Sequence, residues 1–149
     1  MPFRLHRGKA PLSLVSMFEL AKLPLSWGDG LILFFALAIG HAFADFAWQS
    51  QFMATNKNRH LVPKDTDTGR PSSMWIHVLT AHSLVHAGCV WVIVGSLKMA
   101  WLLALAEFIL HWFIDLVKCD GKTDFNADQA LHYLSKAAYV VAIWAAWVH

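Results

Sequence analysis

Histidine and carboxylate side chains recur at intervals of four residues inside the most apolar parts of this sequence. The stretch GHAFADFAWQSQ carries His41, Asp45 and Gln49, which a helix places on one face, one turn apart. Three later stretches repeat this spacing, with His82 and His86, then Glu107, His111 and Asp115, then Asp128, His132 and Lys136. Neutral imidazole and carboxylate groups together suit zinc, iron or manganese. The spacing therefore predicts a metal centre.

Seven of these side chains are the predicted metal ligands, namely His41, Asp45, His82, His86, His111, Asp115 and His132. They outnumber the ligands of one zinc ion, so either two metals bind or some groups orient the imidazoles that do. Asp128 is the predicted general base, although both Asp128 and His82 stay open between ligand and orienting partner. Glu107 and Lys136 are expected to pair with each other. Gln49 is expected near the membrane surface, where it hydrogen-bonds a substrate or closes the site.

The expected divalent metal is zinc, with iron or manganese as alternatives. Two other interpretations of the polar residues remain open. In one, the side chains form a hydrogen-bonded network that only specifies how the helices pack. In the other, histidine pairs hold a haem-like ring. The surplus of carboxylates argues against the ring, because a slot for an apolar macrocycle would not be lined with acids.

Four apolar segments are long enough to cross a bilayer core, which needs about 20 helical residues. The predicted spans are residues 31–51, 74–95, 99–117 and 127–148. Asp29 is the predicted N-cap of the first span, and Asn126 with Gln129 forms a predicted capping box for the fourth. Short connections favour antiparallel neighbours. The predicted fold is therefore all-α, an up-down bundle of four transmembrane helices.

The depth of the polar residues supports their convergence. One long polar connection, residues 54–73, defines what we call the loop side of the bundle. Counted from that side, the polar residues of all four spans lie within about 15 Å of one another. Asp45, Glu107 and Asp115 would together cost roughly 8–10 kcal/mol if they faced lipid. We therefore expect the four faces to meet in one polar centre on the loop side.

The composition agrees with a membrane protein of one domain. Of the 149 residues, 57% are hydrophobic and only 15% are charged, whereas soluble domains carry charge near a quarter. The formal charge of +2 and the lack of a basic patch argue against a nucleic-acid partner, which leaves the lipid bilayer as the expected one. Cys89 and Cys119 lie in different predicted elements and form no CxxC pair, so we interpret them as small apolar residues.

The N-terminal residues 1–29 are predicted to form a tail, and residues 30–149 the membrane domain. Residues 12–23 are interpreted as a short amphipathic helix at the membrane surface. A signal peptide is the alternative, but Glu19 and Lys22 interrupt the apolar part. We expect that this tail is not cleaved.

The ordered motifs resemble a known family. They read HAFADFAWQ from His41, HSLVH from His82, HWFIDLVK from His111 and DQALH from Asp128. The series is similar to the small bacterial and phage membrane proteins called domain of unknown function 3307, over roughly residues 30–135. The resemblance implies no activity. The pattern is also similar to that of families described as membrane-bound metal-dependent hydrolases, an analogy only.

These observations predict a multi-pass protein of the bacterial inner membrane that hydrolyses a membrane-proximal or lipid-linked substrate with a bound metal. The alternatives are a metal or proton carrier and a structural or phage membrane protein. A carrier would need ligands across the whole membrane, whereas the predicted ligands stop about midway. Lysine and arginine residues favour a cytoplasmic loop side.

Overall fold

The chain folds into helices throughout the part that the structure describes. This computed structural model describes residues 26–66, 68–69, 72–95 and 100–148, and no strand occurs among them. The elements are α1 (Trp27–Ala42), a π-helical segment (Phe43–Ala47), α2 (Gln51–Asn56), α3 (Met74–Val94), α4 (Ala100–Cys119) and α5 (Phe125–Val148). The all-α prediction is confirmed. The predicted amphipathic helix at residues 12–23 lies outside the described residues.

Three helices are long and apolar enough to cross a membrane. They are Trp27–Ala47, which includes the π-helical segment, Met74–Val94 and Ala100–Cys119. The predicted fourth span, α5, has 24 residues but is not among them. The reason is composition, because its loop-side half carries six strongly polar residues, namely Asn126, Asp128, Gln129, His132, Ser135 and Lys136. The three spans indicate a multi-pass membrane protein.

The four long helices pack in a ring, in which α1 contacts α3 and α5, and α4 contacts the same two helices. The half of the ring away from the loop side is an apolar core of Leu33, Leu37, Val90, Val94, Ala100, Tyr139 and Ile143. The connection between α3 and α4 is short, so these two helices form an antiparallel pair. An apolar layer therefore closes the bundle on one side of the polar residues.

The outer surface of the bundle is apolar. Large side chains such as Phe35, Ile39, Trp91 and Phe113 are more than half exposed. Soluble proteins rarely expose apolar patches of this extent, and such patches mark membrane or protein contacts. Because charged groups lie inside and apolar groups outside, the surface suits lipid.

Two helix starts differ from the predictions. α1 begins four residues earlier than predicted because Ser26 is its N-cap, and Asp29 instead completes the capping box by bonding back to Ser26. α5 begins at Phe125, and the carboxylate of Asp124 accepts a hydrogen bond from Ala127 N at 2.7 Å. The predicted capping box at Asn126 is therefore wrong. In both cases an earlier short polar side chain reaches the free amide groups first.

The first predicted span is not one continuous helix. After α1 the chain makes a π-helical turn, in which Trp48 N donates to Phe43 O at 3.0 Å. Ser50 then caps α2 by accepting from Met53 N. The predicted loop at residues 54–73 therefore starts with the end of a helix.

Adding a side chain is expected to have opposite effects on stability at two glycines. A Cβ at Gly40 would lie 2.8 Å from Ile93 Cδ1, whereas a Cβ at Gly88 would meet nothing within 4 Å. We expect Gly40→Val to destabilise the bundle by about 1 kcal/mol, because the terminal methyl of Ile93 must turn aside and the added methyl groups approach Cys89 Cβ, 3.5 Å from the new Cβ. Gly88→Ala should stabilise α3 by up to about 1 kcal/mol. Thermal unfolding in detergent tests this pair, and effects of equal sign would contradict it.

Candidate metal centre

The loop-side half of the bundle contains ionisable side chains from all four long helices. Nine of them are no more than 2% exposed, namely His41, His82, His86, Glu107, His111, Asp115, Asp128, His132 and Lys136. Asp45, in the π-helical segment, is more open, with 11% of its side chain exposed. The structure therefore brings together the residues that the four-residue spacing selects.

Four of these residues form what we call the Asp45 cluster: Asp45, His82, His86 and His111. One ligand atom from each lies within 4.8 Å of the others. Asp45 Oδ1 is 3.2 Å from His82 Nε2 and 3.1 Å from His86 Nε2. Ligand atoms around a tetrahedral zinc ion lie about 3.3 Å apart, given Zn–N bonds of about 2.0–2.1 Å. The two distances from Asp45 match this spacing, whereas the full set of four ligand atoms extends over up to 4.8 Å and would have to contract around an ion.

Gln129 connects two aspartates of the site with a histidine. Gln129 Nε2 donates to Asp45 Oδ2 at 3.0 Å and to Asp128 Oδ2 at 3.3 Å, and its oxygen lies 3.4 Å from His41 Nε2. His41 Nδ1 lies 3.3 Å from His86 Nδ1, so one of these two nitrogens donates and the other accepts. His86 Nε2 in turn lies 3.1 Å from Asp45 Oδ1. These contacts join α1, the π-helical segment, α3 and α5 in one hydrogen-bonded network.

A second chain of contacts orients His111. Glu107 Oε1 lies 3.3 Å from His111 Nδ1, and Glu107 is itself held by Lys136 Nζ at 2.6 Å and by the hydroxyl of Tyr139 at 3.0 Å. His111 Nε2 is buried and has no hydrogen-bond partner among the described residues. A histidine that donates one N–H to a carboxylate and leaves the other nitrogen free is typical of metal ligation.

A second group whose side chains could hold a metal, the Asp115 cluster, consists of Asp115, Asp128 and His132. His132 Nε2 lies 3.4 Å from Asp115 Oδ1 and 3.5 Å from Asp128 Oδ1. The other oxygen of each aspartate accepts from a lysine at 2.6 Å, Lys57 for Asp115 and Lys118 for Asp128. Each lysine thus orients its aspartate so that one oxygen points to His132.

The two clusters are continuous. A third group of ligand atoms, from His41, His111 and His132, lies between them. The rings of His111 and His86 stack at 3.6 Å between centroids, and those of His111 and His132 at 4.2 Å. The histidines thus form one layer that links all four long helices.

The segment after α2 is attached to the end of α4. Arg59 donates two hydrogen bonds to Asp120, at 2.8 and 2.7 Å, and His60 Nε2 lies 3.1 Å from the same carboxylate. Partial desolvation alone would raise the pKa of Asp120, but the hydrogen bonds from His60 and Arg59 hold it below its usual value. This attachment keeps Lys57, two residues earlier, over Asp115.

Gln49 contacts the site although it does not lie on the continuous helix that the four-residue spacing assumes. It lies beyond the last residue of the π-helical segment, yet its Nε2 is 3.3 Å from His82 Nε2. The π-helical turn, which is frequent at functional sites, places Asp45 and Gln49 at the rim of the cluster.

Four residues of the site were not selected by the four-residue spacing: Lys57, Lys118, Gln129 and Tyr139. Two could have been found from the three-residue helical step, because Lys118 follows Asp115 and Tyr139 follows Lys136 by three residues. Lys57 belongs to a connecting segment, where helical periodicity carries no signal.

The fold and the site define a helical membrane protein with a buried histidine and aspartate centre. The family model described as "Protein of unknown function (DUF3307)" matches residues 33–148. The chain belongs to this family, as the ordered motifs indicated. No curated protein and no solved structure matches the chain.

Proposed function

We propose that this protein is a four-helix integral protein of the bacterial inner membrane that binds a divalent metal and hydrolyses a membrane-proximal or lipid-linked substrate. Zinc is the expected metal, with iron or manganese as alternatives. In this proposal α5 also crosses the membrane, because its polar residues face the interior of the ring rather than lipid.

The observation that carries the proposal is the unpaired nitrogen of His111. Buried polar atoms nearly always have hydrogen-bond partners. Besides His111 Nε2, the buried side-chain atoms without one among the described residues include His82 Nδ1, Asp128 Oδ1 and both ring nitrogens of His132. A network that served only helix packing would be expected to satisfy these atoms.

The balance of charge favours a cation in the Asp45 cluster. Three of the four carboxylates in the site pair with a lysine at 2.6 Å: Glu107, Asp115 and Asp128. Asp45 contacts histidines and Gln129 instead. With neutral histidines the site therefore has one excess negative charge, located where three imidazoles converge.

The chemistry proposed for this site is activation of water. A divalent metal bound here would supply a Lewis acid and lower the pKa of a bound water to about 7. Asp128 is the proposed general base, since its Oδ1 has no hydrogen-bond partner while Lys118 holds its Oδ2. Substrate would approach from the loop side past Gln49 and Asp45, which are only partly buried.

The alternative is a membrane protein without enzymatic activity. The lysine–carboxylate pairs favour a packing role, since two of the three are buried and buried ion pairs can specify how helices associate. A carrier is less favoured because the apolar core, with Leu37 and Val94 fully buried, interrupts any polar path.

Elemental analysis of protein purified in detergent tests the proposal, together with turnover of bis-p-nitrophenyl phosphate and p-nitrophenyl esters in micelles. We expect about one divalent ion per chain or more. Asp128→Asn should keep its metal and lose about 10²–10⁴-fold in turnover. The matched control is Asp124→Asn, at the exposed cap of α5. Folded wild-type protein without metal would refute the enzyme, and unchanged turnover in Asp128→Asn would refute the base.

A further inference from the structure

An apolar groove runs along the outside of the bundle between α1 and α3. It encloses about 700 Å³. Its walls include Gly40, Phe43 and Trp48 from the first span and its end, and Val85, Gly88 and Ile93 from α3. Because both helices are long and apolar enough to cross a membrane, this groove opens toward lipid.

The groove lies beside elements that carry part of the Asp45 cluster. Val85 precedes His86 in the sequence, so α3 provides one wall of the groove and two histidines of the cluster. Phe43 and Trp48 line the groove on either side of Asp45 in the sequence, and their rings contact each other edge to face at 4.7 Å. The groove therefore includes the sequence neighbours of Asp45, whose side chain is partly exposed.

The groove runs along the axes of the two helices. On α1 it extends from Phe43, near the loop-side end, to Ala36, about 10 Å further from the loop side. On α3 its wall lies in the half of the helix away from the loop side. A lipid with its head group at the loop side and its chains toward the bilayer centre would follow this direction. Its head group would lie near Asp45 and Gln49, which are partly exposed at the rim.

Gly88 provides an independent observation. Glycine in the middle of a helix costs stability relative to alanine, and here a Cβ would meet nothing within 4 Å. Helix packing therefore does not require glycine at this position, unlike at Gly40. What its small size provides is space in the groove that it lines.

We propose that this groove binds one hydrocarbon chain of a lipid and thereby presents the lipid head group to the Asp45 cluster. This proposal adds a substrate class to the proposed function, namely the lipids that carry such a chain. Its last step, presentation of the head group to the metal centre, rests on that proposed function. Binding of the chain itself depends on Gly88 and the apolar walls and not on the metal.

Photocrosslinking tests this binding. Full-length protein in phosphatidylcholine nanodiscs is irradiated with a phosphatidylglycerol that carries a diazirine in one acyl chain, and the adducts are located by peptide mass spectrometry. We expect adducts in residues 36–43 and 85–93 that unlabelled phosphatidylglycerol competes away. Gly88→Phe, which fills the groove, should lose them. Ala138→Phe, a matched change on the exposed face of α5, should keep them.

Metal content separates this proposal from the enzyme. Gly88→Phe should keep the metal of the wild type, since it changes no residue of the site. Adducts spread evenly over the exposed faces, or unaffected by Gly88→Phe, would overturn the groove even if metal and turnover were found. Groove adducts in a protein that binds no metal would support the lipid site and refute the hydrolase.

Discussion

Replacing His111 with alanine is expected to remove the bound metal from the purified protein. The imidazole of His111 is held by Glu107 through Nδ1, and its Nε2 has no hydrogen-bond partner among the described residues, which leaves that nitrogen available for a metal. Glu107→Gln should weaken metal binding by about 10–100-fold, because it replaces the orienting carboxylate. Since Glu107 is also the partner of the buried Lys136, folding of this variant is verified before its metal content is compared. Titration with zinc, followed by elemental analysis, measures both effects.

His77→Ala is the matched control for this experiment. His77 lies on α3 like His82 and His86, but it is exposed and outside the cluster. It should therefore keep the metal of the wild type. Equal metal content in His111→Ala and His77→Ala, in folded protein, would show that the cluster is a packing network.

The largest expected effect on stability follows from Lys136. Its ammonium group pairs with Glu107 at 2.6 Å, and both side chains are no more than 1% exposed. Lys136→Met leaves the carboxylate buried without this partner, which in buried pairs costs about 3–5 kcal/mol. Reversible unfolding in mixed micelles should show a loss of this size.

The double variant Glu107→Gln with Lys136→Met should recover much of this loss, because it removes both charges. Lys122→Met, at an exposed residue of the loop side, is the matched control and should change the free energy of unfolding little. If the losses in the free energy of unfolding of the two single variants add up to the loss of the double variant, Glu107 and Lys136 have no coupling energy. That result would contradict the prediction.

Much of the site follows from the spacing of a few residues. A step of four in an apolar helix allows only one direction in which His41 and Asp45 can both avoid lipid, and the same holds for His111 and Asp115. The convergence of the histidine and aspartate faces could therefore be predicted, because the energetic cost of the alternative is large. Helix ends were predicted less well, since Ser26 and Asp124 compete with later polar residues for the same amide groups.

The spacing of residues could not predict which side chains pair with one another in the site. Lys57 reaches Asp115 only because Arg59 attaches the segment after α2 to Asp120, a contact over about 60 positions in the sequence. Likewise Gln129 joins Asp45 to Asp128 across the interface of two helices. Such contacts depend on the rotation and approach of the helices, which periodicity does not encode.

The sequence by itself determined that the chain is helical, that it carries helices apolar enough for a membrane, and that imidazoles and carboxylates meet in the loop-side half. It predicted four membrane spans, whereas three of the described helices are long and apolar enough. These features follow from local spacing and from the energetic cost of polar groups in lipid. Only the tertiary structure decided that three carboxylates pair with lysines, and that within the described part of the chain Asp45 has no lysine partner and His111 Nε2 no hydrogen-bond partner. The physical reason is that a hydrogen bond requires an approach within a few ångströms in the right direction, which only the packed helices define.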